Sequence, residues 1–314
     1  MPKISVIMSV YKEPIEWLCQ SIDSILGQTF REFEFIIICD NPDYIEGIDL
    51  LKDYSQRDNR IVLMFNDKNI GLTKSLNKGI SAAKGEYIAR MDADDIALSN
   101  RFELQMHEFS LQENLGVCGT GVEYFGTVNK SRLFPKTNND IFLFVENCFA
   151  HSSIIAKGEL MKKYKYNEEC KYAQDYDLWF RMYYDGVRFY NIPRILLKYR
   201  TSQQQIGSNF KSLQDSVGRR IRRTSLAHYI QKKNASFNFV NDYITRNDIR
   251  TICRYLDENE VYYQKVLFYL AISVDSKVDR LALLFTLTPI FHLSFKYWLH
   301  LFYFYFFNKK AYLF

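Results

Sequence analysis

Between Tyr87 and Asp95 the chain reads YIARMDADD, a short apolar run ending in three carboxylates within four residues, Asp92, Asp94 and Asp95. Side chains alternate along a strand, so Asp92 and Asp94 are predicted to leave its carboxyl end on the same side. Two such carboxylates suit a hard divalent cation, Mg2+ or Mn2+, which takes one or two oxygen ligands from a protein and fills its shell with water and substrate phosphates. A solvated acidic turn has the same composition, because Asp is common where strands end. The elements around the run bear on that choice.

Ile4 to Val10 is apolar and stops at Tyr11, and helical spacing follows through Trp17, Leu18, Ile22, Ile25 and Leu26. Phe33 to Cys39 (FEFIIIC) is too apolar to have a wet face. Ile61 to Phe65 is predicted as a strand, Leu72 to Ala83 as a helix and Tyr87 to Met91 as the next strand. Near-continuous apolar strands alternating with helices mark a parallel sheet covered on both faces, so residues 1–100 read as a doubly wound nucleotide-binding half. Ligands of such sheets bind outside the carboxyl ends of the strands. Tyr11-Lys12-Glu13, Asp40-Asn41 and Asp92 to Asp95 all fall at those ends and are expected to converge on one crevice.

Residues 101–205 have a mixed pattern: Asn100 to Asn114 is predicted helical, strands are expected around Gly119 and Gly121, and DYDLWFRMYY from Asp175 to Tyr184 is an aromatic-rich helix. This half is expected to carry the second substrate. Residues 206–314 read as wholly helical, with a basic cluster at Arg219, Arg220, Arg222 and Arg223. From Leu281 to Phe307 the chain is dense in Leu, Phe and Tyr, but Pro289 interrupts it and His292, Lys296 and His300 recur every four residues. A helix lying in a membrane interface fits that polar stripe better than a span does, with Lys309 and Lys310 meeting anionic lipid of the inner leaflet. Packing of the same aromatics on the catalytic domain or a partner is the other reading.

Hydrophobic residues make up 47% of the 314 residues, which excludes disorder, and a net charge of +5 is too modest for nucleic acid. The six cysteines show no CxxC pair or zinc spacing and read as reduced thiols. The N-terminus enters a strand at once, without the regions of a signal peptide, so a cytoplasmic enzyme peripherally associated with the inner membrane is expected.

Taken in order, SVIMSVYKE (Ser5 to Glu13), the strand ending at Asp40, NIGLTKSLNKGI (Asn69 to Ile80), GEYIARMDADDIALSNRFELQ (Gly85 to Gln105), HSS from His151 and QDYDLWFRM (Gln174 to Met182) resemble the family 2 inverting glycosyltransferases of bacterial capsule, exopolysaccharide and O-antigen synthesis. The resemblance covers about the first 200 residues. It implies a GT-A fold, a Rossmann-like α/β architecture with a mostly parallel sheet and helices on both faces, followed here by a helical C-terminal extension. It also implies Mn2+ or Mg2+, a UDP-sugar donor and a saccharide acceptor, lipid-linked in surface polysaccharide synthesis.

Residue by residue, the resemblance implies that Val10, Tyr11, Glu13, Asp40, Lys74, Asp92 and Ala93 hold the donor nucleotide. Asp40 would accept from a uracil N–H and Asp92 would sit beside the ribose. Asp94 would be the metal ligand and Asp95 would stand behind it. Asp175 would be the base for the acceptor hydroxyl, with Asp177 its local rival. His151, Gln174 and Trp179 would line the acceptor pocket, and Arg200 would help hold the diphosphate. Departures are Cys39-Asp40-Asn41-Pro42 for the commoner Asp-Asp-Gly-Ser, and Gln174-Asp175 for Glu-Asp. Lys74 also fits a solvated helix face, and Trp179 also fits the core. Two other classes are a sugar nucleotidyltransferase, which would want a Gly-rich basic loop after the first strand, and a catalytically inactive carbohydrate-binding or scaffold protein, which would lack Asp94 or Asp175.

Overall fold

β1 (Ile4–Val10) and β2 (Phe33–Cys39) are buried along their whole length, as the apolar runs require. Helix α1 (Ile15–Leu26) crosses between them, and α2 (Ile45–Arg57) leads to β3 (Ile61–Phe65). α3 (Leu72–Ala82) then leads to β4 (Tyr87–Arg90). These strands pair in parallel in the order β3-β2-β1-β4, the doubly wound half that the spacing predicts. A computed structural model describes residues 1–136 and 147–202 of the chain, with residues 213, 214, 216–218, 220–222, 224 and 231 beyond them.

The second half of the sheet is mixed. β5 (Ile96–Ala97), α4 (Arg101–Leu111), β6 (Leu115–Gly126) and β7 (Lys130–Arg132) precede a short 3-10 turn at His151–Ser153. β8 (Ile155–Lys157), α5 (Gly158–Tyr164), α6 (Gln174–Tyr184) and β9 (Arg188–Thr201) follow. Among the described residues one nine-stranded sheet continues from β4 through β8, β6 and β9 to β5, with β7 against β6. β4–β8, β6–β8, β6–β7 and β5–β9 are antiparallel, and only β6–β9 is parallel. The expectation of a mostly parallel sheet therefore holds for the first half alone. Beyond β4 the chain returns along neighbouring strands rather than by repeated β-α-β crossovers, which parallel pairing needs.

Polar residues in the buried strands have local duties. Ser5 donates to Glu34 at 2.6 Å, and these two accept from the backbone N–H groups of Gly85 at 2.8 Å and Lys84 at 2.7 Å. The loop entering β4 is thereby tied to β1, and a Cβ on Gly85 would lie 2.5 Å from the Ser5 nitrogen. The start of β4, and with it the acidic turn at its end, is located by that close approach.

By contact density the chain divides into two compact units, Met1–Asn138 with Asn147–Val217, and Asn139–Glu146 with Gly218–Phe314. The first holds the whole sheet. Among the described residues no helix is long and apolar enough to cross a membrane. The aromatic segment 281–307, Lys309 and Lys310 lie outside the described residues, as does Cys253; the other five cysteines are free thiols.

Candidate active site

The acidic run sits just past its strand. β4 ends at Arg90, one residue sooner than its apolar pattern suggests, and Asp92 to Asp95 form a turn with the Asp95 N–H donating to the Asp92 carbonyl at 3.4 Å. Asp92 and Asp94 are half-buried while Ala93 and Asp95 are buried. Ala93 can meet a nucleotide only through its backbone. Asp95 is 1% exposed and accepts from the Ser152 hydroxyl and, at 2.8 Å, from the Arg200 N–H. Burial first, then the charges of Asp94 and Asp92, pushes its pKa well above the ordinary carboxylate range.

Arg90 was not anticipated. Its guanidinium is buried, donates to the Ile7 carbonyl at 3.4 Å and to the Met91 carbonyl, and pairs with Asp92. The signal was present in the sequence, since a charged residue in a four-residue buried strand must find a partner.

Glu13 faces the same place from β1. Burial raises its pKa, and Asp94 and Asp92 add to the rise. Its Oε2 accepts the Tyr11 N–H at 2.8 Å, and its carbonyl accepts from the Tyr44 hydroxyl at 2.5 Å. Tyr11 is exposed, whereas Val10 is fully buried with its carbonyl bonded to the Asp40 N–H at 2.7 Å. Among the described residues no three His, Cys, Asp or Glu side chains enclose a cation. The charges of Asp94 and Asp92 both act on Asp95 and Glu13, and such a gathering of carboxylates fits a cation held by Asp94, with Asp92 beside it, and completed by water and phosphate oxygens.

Asp40 has a duty that the sequence reading missed. Its Oδ1 accepts from Asn66 Nδ2 at 2.8 Å and from the Ile70 N–H at 2.9 Å, while Oδ2 accepts from the Gly71 N–H at 2.8 Å. Gly71, at φ +87°, opens α3. The carboxylate thus ties the end of β2 to the loop before α3, leaving one acceptor direction on Oδ2 for a base. Lys74 is exposed on the first turn of α3. Asn77 is taken by the protein: its amide donates to the Tyr166 carbonyl and accepts from the Tyr166 N–H, both at 2.9 Å.

That clamp presents Tyr166 to His151, whose Nε2 lies 2.7 Å from the Tyr166 hydroxyl. Burial, then Arg90, pushes the His151 pKa down to about 4, with Asp175 and Asp92 opposing. Burial raises Tyr166, with the same three charges acting on it. The pair therefore stands within electrostatic reach of Asp92 at the end of β4 and of Asp175 in the first turn of α6. Asn147, also not anticipated, donates its amide to Asp175 Oδ2 at 2.5 Å. Asp177 is bound instead to Arg181 Nε at 2.8 Å, one helical turn on. Of the two acids, Asp177 is the one held in an ion pair.

Two acceptor assignments change. Gln174 is buried at the start of α6, and Trp179 is fully buried, edge-on to Phe149 with ring centroids 5.1 Å apart. Trp179 faces the core because it stands on the side of α6 shared with Leu178 and Met182, which packs on the sheet, and it cannot stack on a sugar. Arg200 is 9% exposed, and its Nε and one Nη are engaged by the protein itself.

Residues 5–176 match the profile described as Glycosyl transferase family 2. An uncharacterized glycosyltransferase of Methanocaldococcus jannaschii is 33% identical over 275 residues, covering 85% of this chain and 86% of the relative. An O-antigen biosynthesis glycosyltransferase of Escherichia coli, WbnJ, is 37% identical over 205 residues, 63% of this chain and 79% of its own. In fold, the chain is similar to residues 1–349 of S. aureus TarS in complex with UDP-GlcNAc, with a TM-score of 0.58 at 17% identity over 98% of this chain and 92% of that one. Together with the GT-A architecture and the acidic turn at the end of β4, the match over more than half of its length establishes that this chain belongs to glycosyl transferase family 2 and is a glycosyltransferase.

Proposed function

We propose that the protein transfers a sugar from a UDP-sugar to a saccharide acceptor, with inversion at the anomeric carbon and in a metal-dependent reaction. The observation that supports this reading is that the charges of Asp92, just past β4, and of Asp175, at the start of α6, both act on the hydrogen-bonded His151–Tyr166 pair. The UDP-GlcNAc complex of TarS and the O-antigen role in the name of the Escherichia coli relative support a nucleotide-sugar donor and a surface-polysaccharide product.

Asp94 would hold the cation with help from Asp92. When bound, the cation neutralises the charge that develops on the departing diphosphate. Val10, Tyr11 and Glu13 at the end of β1, the free direction on Asp40 Oδ2, Lys74 at the start of α3 and the Ala93 backbone would line the nucleotide. Asp175 receives the acceptor's hydroxyl proton as that oxygen bonds to the anomeric carbon and the bond to UDP breaks, its electron pair leaving on the diphosphate. Asn147 holds one Asp175 oxygen, which orients the other toward the acceptor. With Asp175 as base and no carboxylate assigned as nucleophile, the reaction is read as a direct displacement with inversion.

The acceptor is proposed to be lipid-linked and met at the cytoplasmic membrane face by segment 281–307. Incubation with a panel of UDP-sugars and Mn2+, followed by NMR of the product, tests the reading. A β-linked product from an α-linked donor is expected, and an α-linked product would overturn the mechanism. Sedimentation with anionic liposomes, compared with a truncation at Pro289, tests the membrane contact. Equal sedimentation of the two forms would overturn it.

A further inference from the structure

The carboxyl end of β9 lies against the acidic turn. Ile96 pairs with Lys198 and Ala97 with Leu197, and carrying that register two residues further sets Asp94 opposite Arg200. The contacts follow from this position. The Arg200 N–H donates to Asp95 Oδ1 at 2.8 Å, its Nε donates to the Asp94 carbonyl at 2.8 Å, and its Nη2 donates to Gln20 Oε1 of α1 at 2.6 Å. The guanidinium carbon lies over two rings, 4.7 Å from the ring centroid of Trp17 of α1 and 4.5 Å from that of Phe125 of β6. A group whose donors reach the protein and whose carbon lies over two rings is held in place.

We propose that Arg200 is a positioning residue for the metal-binding turn. By gripping the backbone of Asp94 and the carboxylate of Asp95 from the β9 side, it fixes where the Asp94 carboxylate points, and it does so without touching the diphosphate. The inference rests on the reading that Asp94 holds a cation at the donor diphosphate. Only an arginine supplies this: the planar fork lies over the rings while donating along two directions, and a lysine ammonium on a flexible stem does neither. Gln20 is the second part of the device, since it orients the far edge of the same fork.

UDP binding, measured by titration calorimetry in MnCl2 and again in EDTA, separates positioning from direct contact. Arg200→Met keeps an apolar stem against Trp17 and Phe125 and removes the donors. Its expected result is a loss of about tenfold or more in UDP affinity in Mn2+, the size found when groups supporting metal ligands are removed, with parent-like affinity in EDTA. Arg200→Lys is expected to fail in the same way, and Gln20→Met to show a smaller loss in Mn2+ alone.

A direct contact with the diphosphate predicts the reverse pattern. UDP affinity would fall in EDTA, where the phosphates carry their full charge, and lysine would restore it; that result overturns the proposal. So would Mn2+-dependent binding by Arg200→Met equal to that of the parent. Absence of any Mn2+-dependent UDP binding by the parent would instead overturn the donor reading on which the proposal stands, so the two failures are distinguishable. If Arg200→Met does not fold, Arg200→Lys and Gln20→Met carry the same comparison.

Discussion

The Nε2 atom of His151 and the hydroxyl of Tyr166 lie 2.7 Å apart, within electrostatic reach of two carboxylates, Asp92 just past β4 and Asp175 in the first turn of α6. Which partner donates depends on the imidazole tautomer, and burial, reinforced by Arg90, favours the neutral ring.

Acid should therefore weaken the fold through His151. Its pKa is pushed down to about 4 in the folded protein from an ordinary value of 6.5, so between those two values the unfolded chain binds the proton and the folded chain does not. Stability contributed here is present above pH 6.5 and falls as the pH drops through this window. His151→Gln is expected to lose less melting temperature than the parent between pH 7 and pH 5, by an amount on the order of a few °C, read by differential scanning fluorimetry. An equal loss in both proteins would remove His151 as the cause.

Asp94→Ala should cost turnover roughly 10²- to 10³-fold, as loss of a group serving the developing charge does. The fold should survive, because Asp94 repels Asp95 and Glu13 and its removal relieves both. Unfolding in EDTA should accordingly occur near the parent's temperature, since the lost attraction to Arg200 offsets that relief. Undiminished Mn2+-dependent transfer would refute the assignment.

Asp175→Asn should lower kcat by roughly 10²- to 10⁴-fold, as loss of a general base does, while UDP binding is unchanged. Asn147→Leu should lower kcat by a smaller factor, again with UDP affinity retained, since it touches only the base. Asp177→Asn breaks a partly exposed pair with Arg181, so its effect on stability should stay below about 1 kcal/mol and its kcat near that of the parent. A kcat loss at Asp177 equal to that at Asp175 would reverse their roles.

Asp40→Asn should destabilise the apo protein. It sets an amide N–H2 among three donors that a carboxylate now satisfies, and each buried group left unpaired costs about 1–3 kcal/mol. Urea unfolding without nucleotide checks this. Stability equal to the parent would mean that the Asn66, Ile70 and Gly71 bonds contribute nothing measurable.

Trp179→Ala should cost about 3–5 kcal/mol of unfolding free energy, the penalty of a large core cavity. Trp179→Phe should restore most of that stability and leave the acceptor KM unchanged. A raised KM in the phenylalanine variant would return Trp179 to the acceptor pocket.

Much of the fold was legible because the first half obeys simple periods. β1 and β2 are apolar at every position and α3 follows a glycine at positive φ, so the parallel half and the crevice at its strand ends follow from local pattern. The second half was less legible. β5, β7 and β8 are two or three residues long, too short to carry a period, and they exist because β9 and β6 offer them partners. The site divides in the same way: the acidic turn and the acid that opens α6 were visible as residue types in order, whereas Arg90 and Asn147 were not. Asn77, three residues after Lys74 on α3, has its amide spent on Tyr166, a partner 89 residues away.

What the sequence by itself determined is the chemistry on offer: carboxylates at three strand or helix ends, in an order specific to one family. Tertiary structure decided which groups remain available to act. Asp40, Asn77 and Arg200 have polar atoms engaged by residues 26 to 180 positions away, and no local pattern records such partners. The physical reason is that a buried polar group must be satisfied by whatever the fold brings to it. The same residue type is therefore a ligand group where solvent reaches it and a fastening where the protein does.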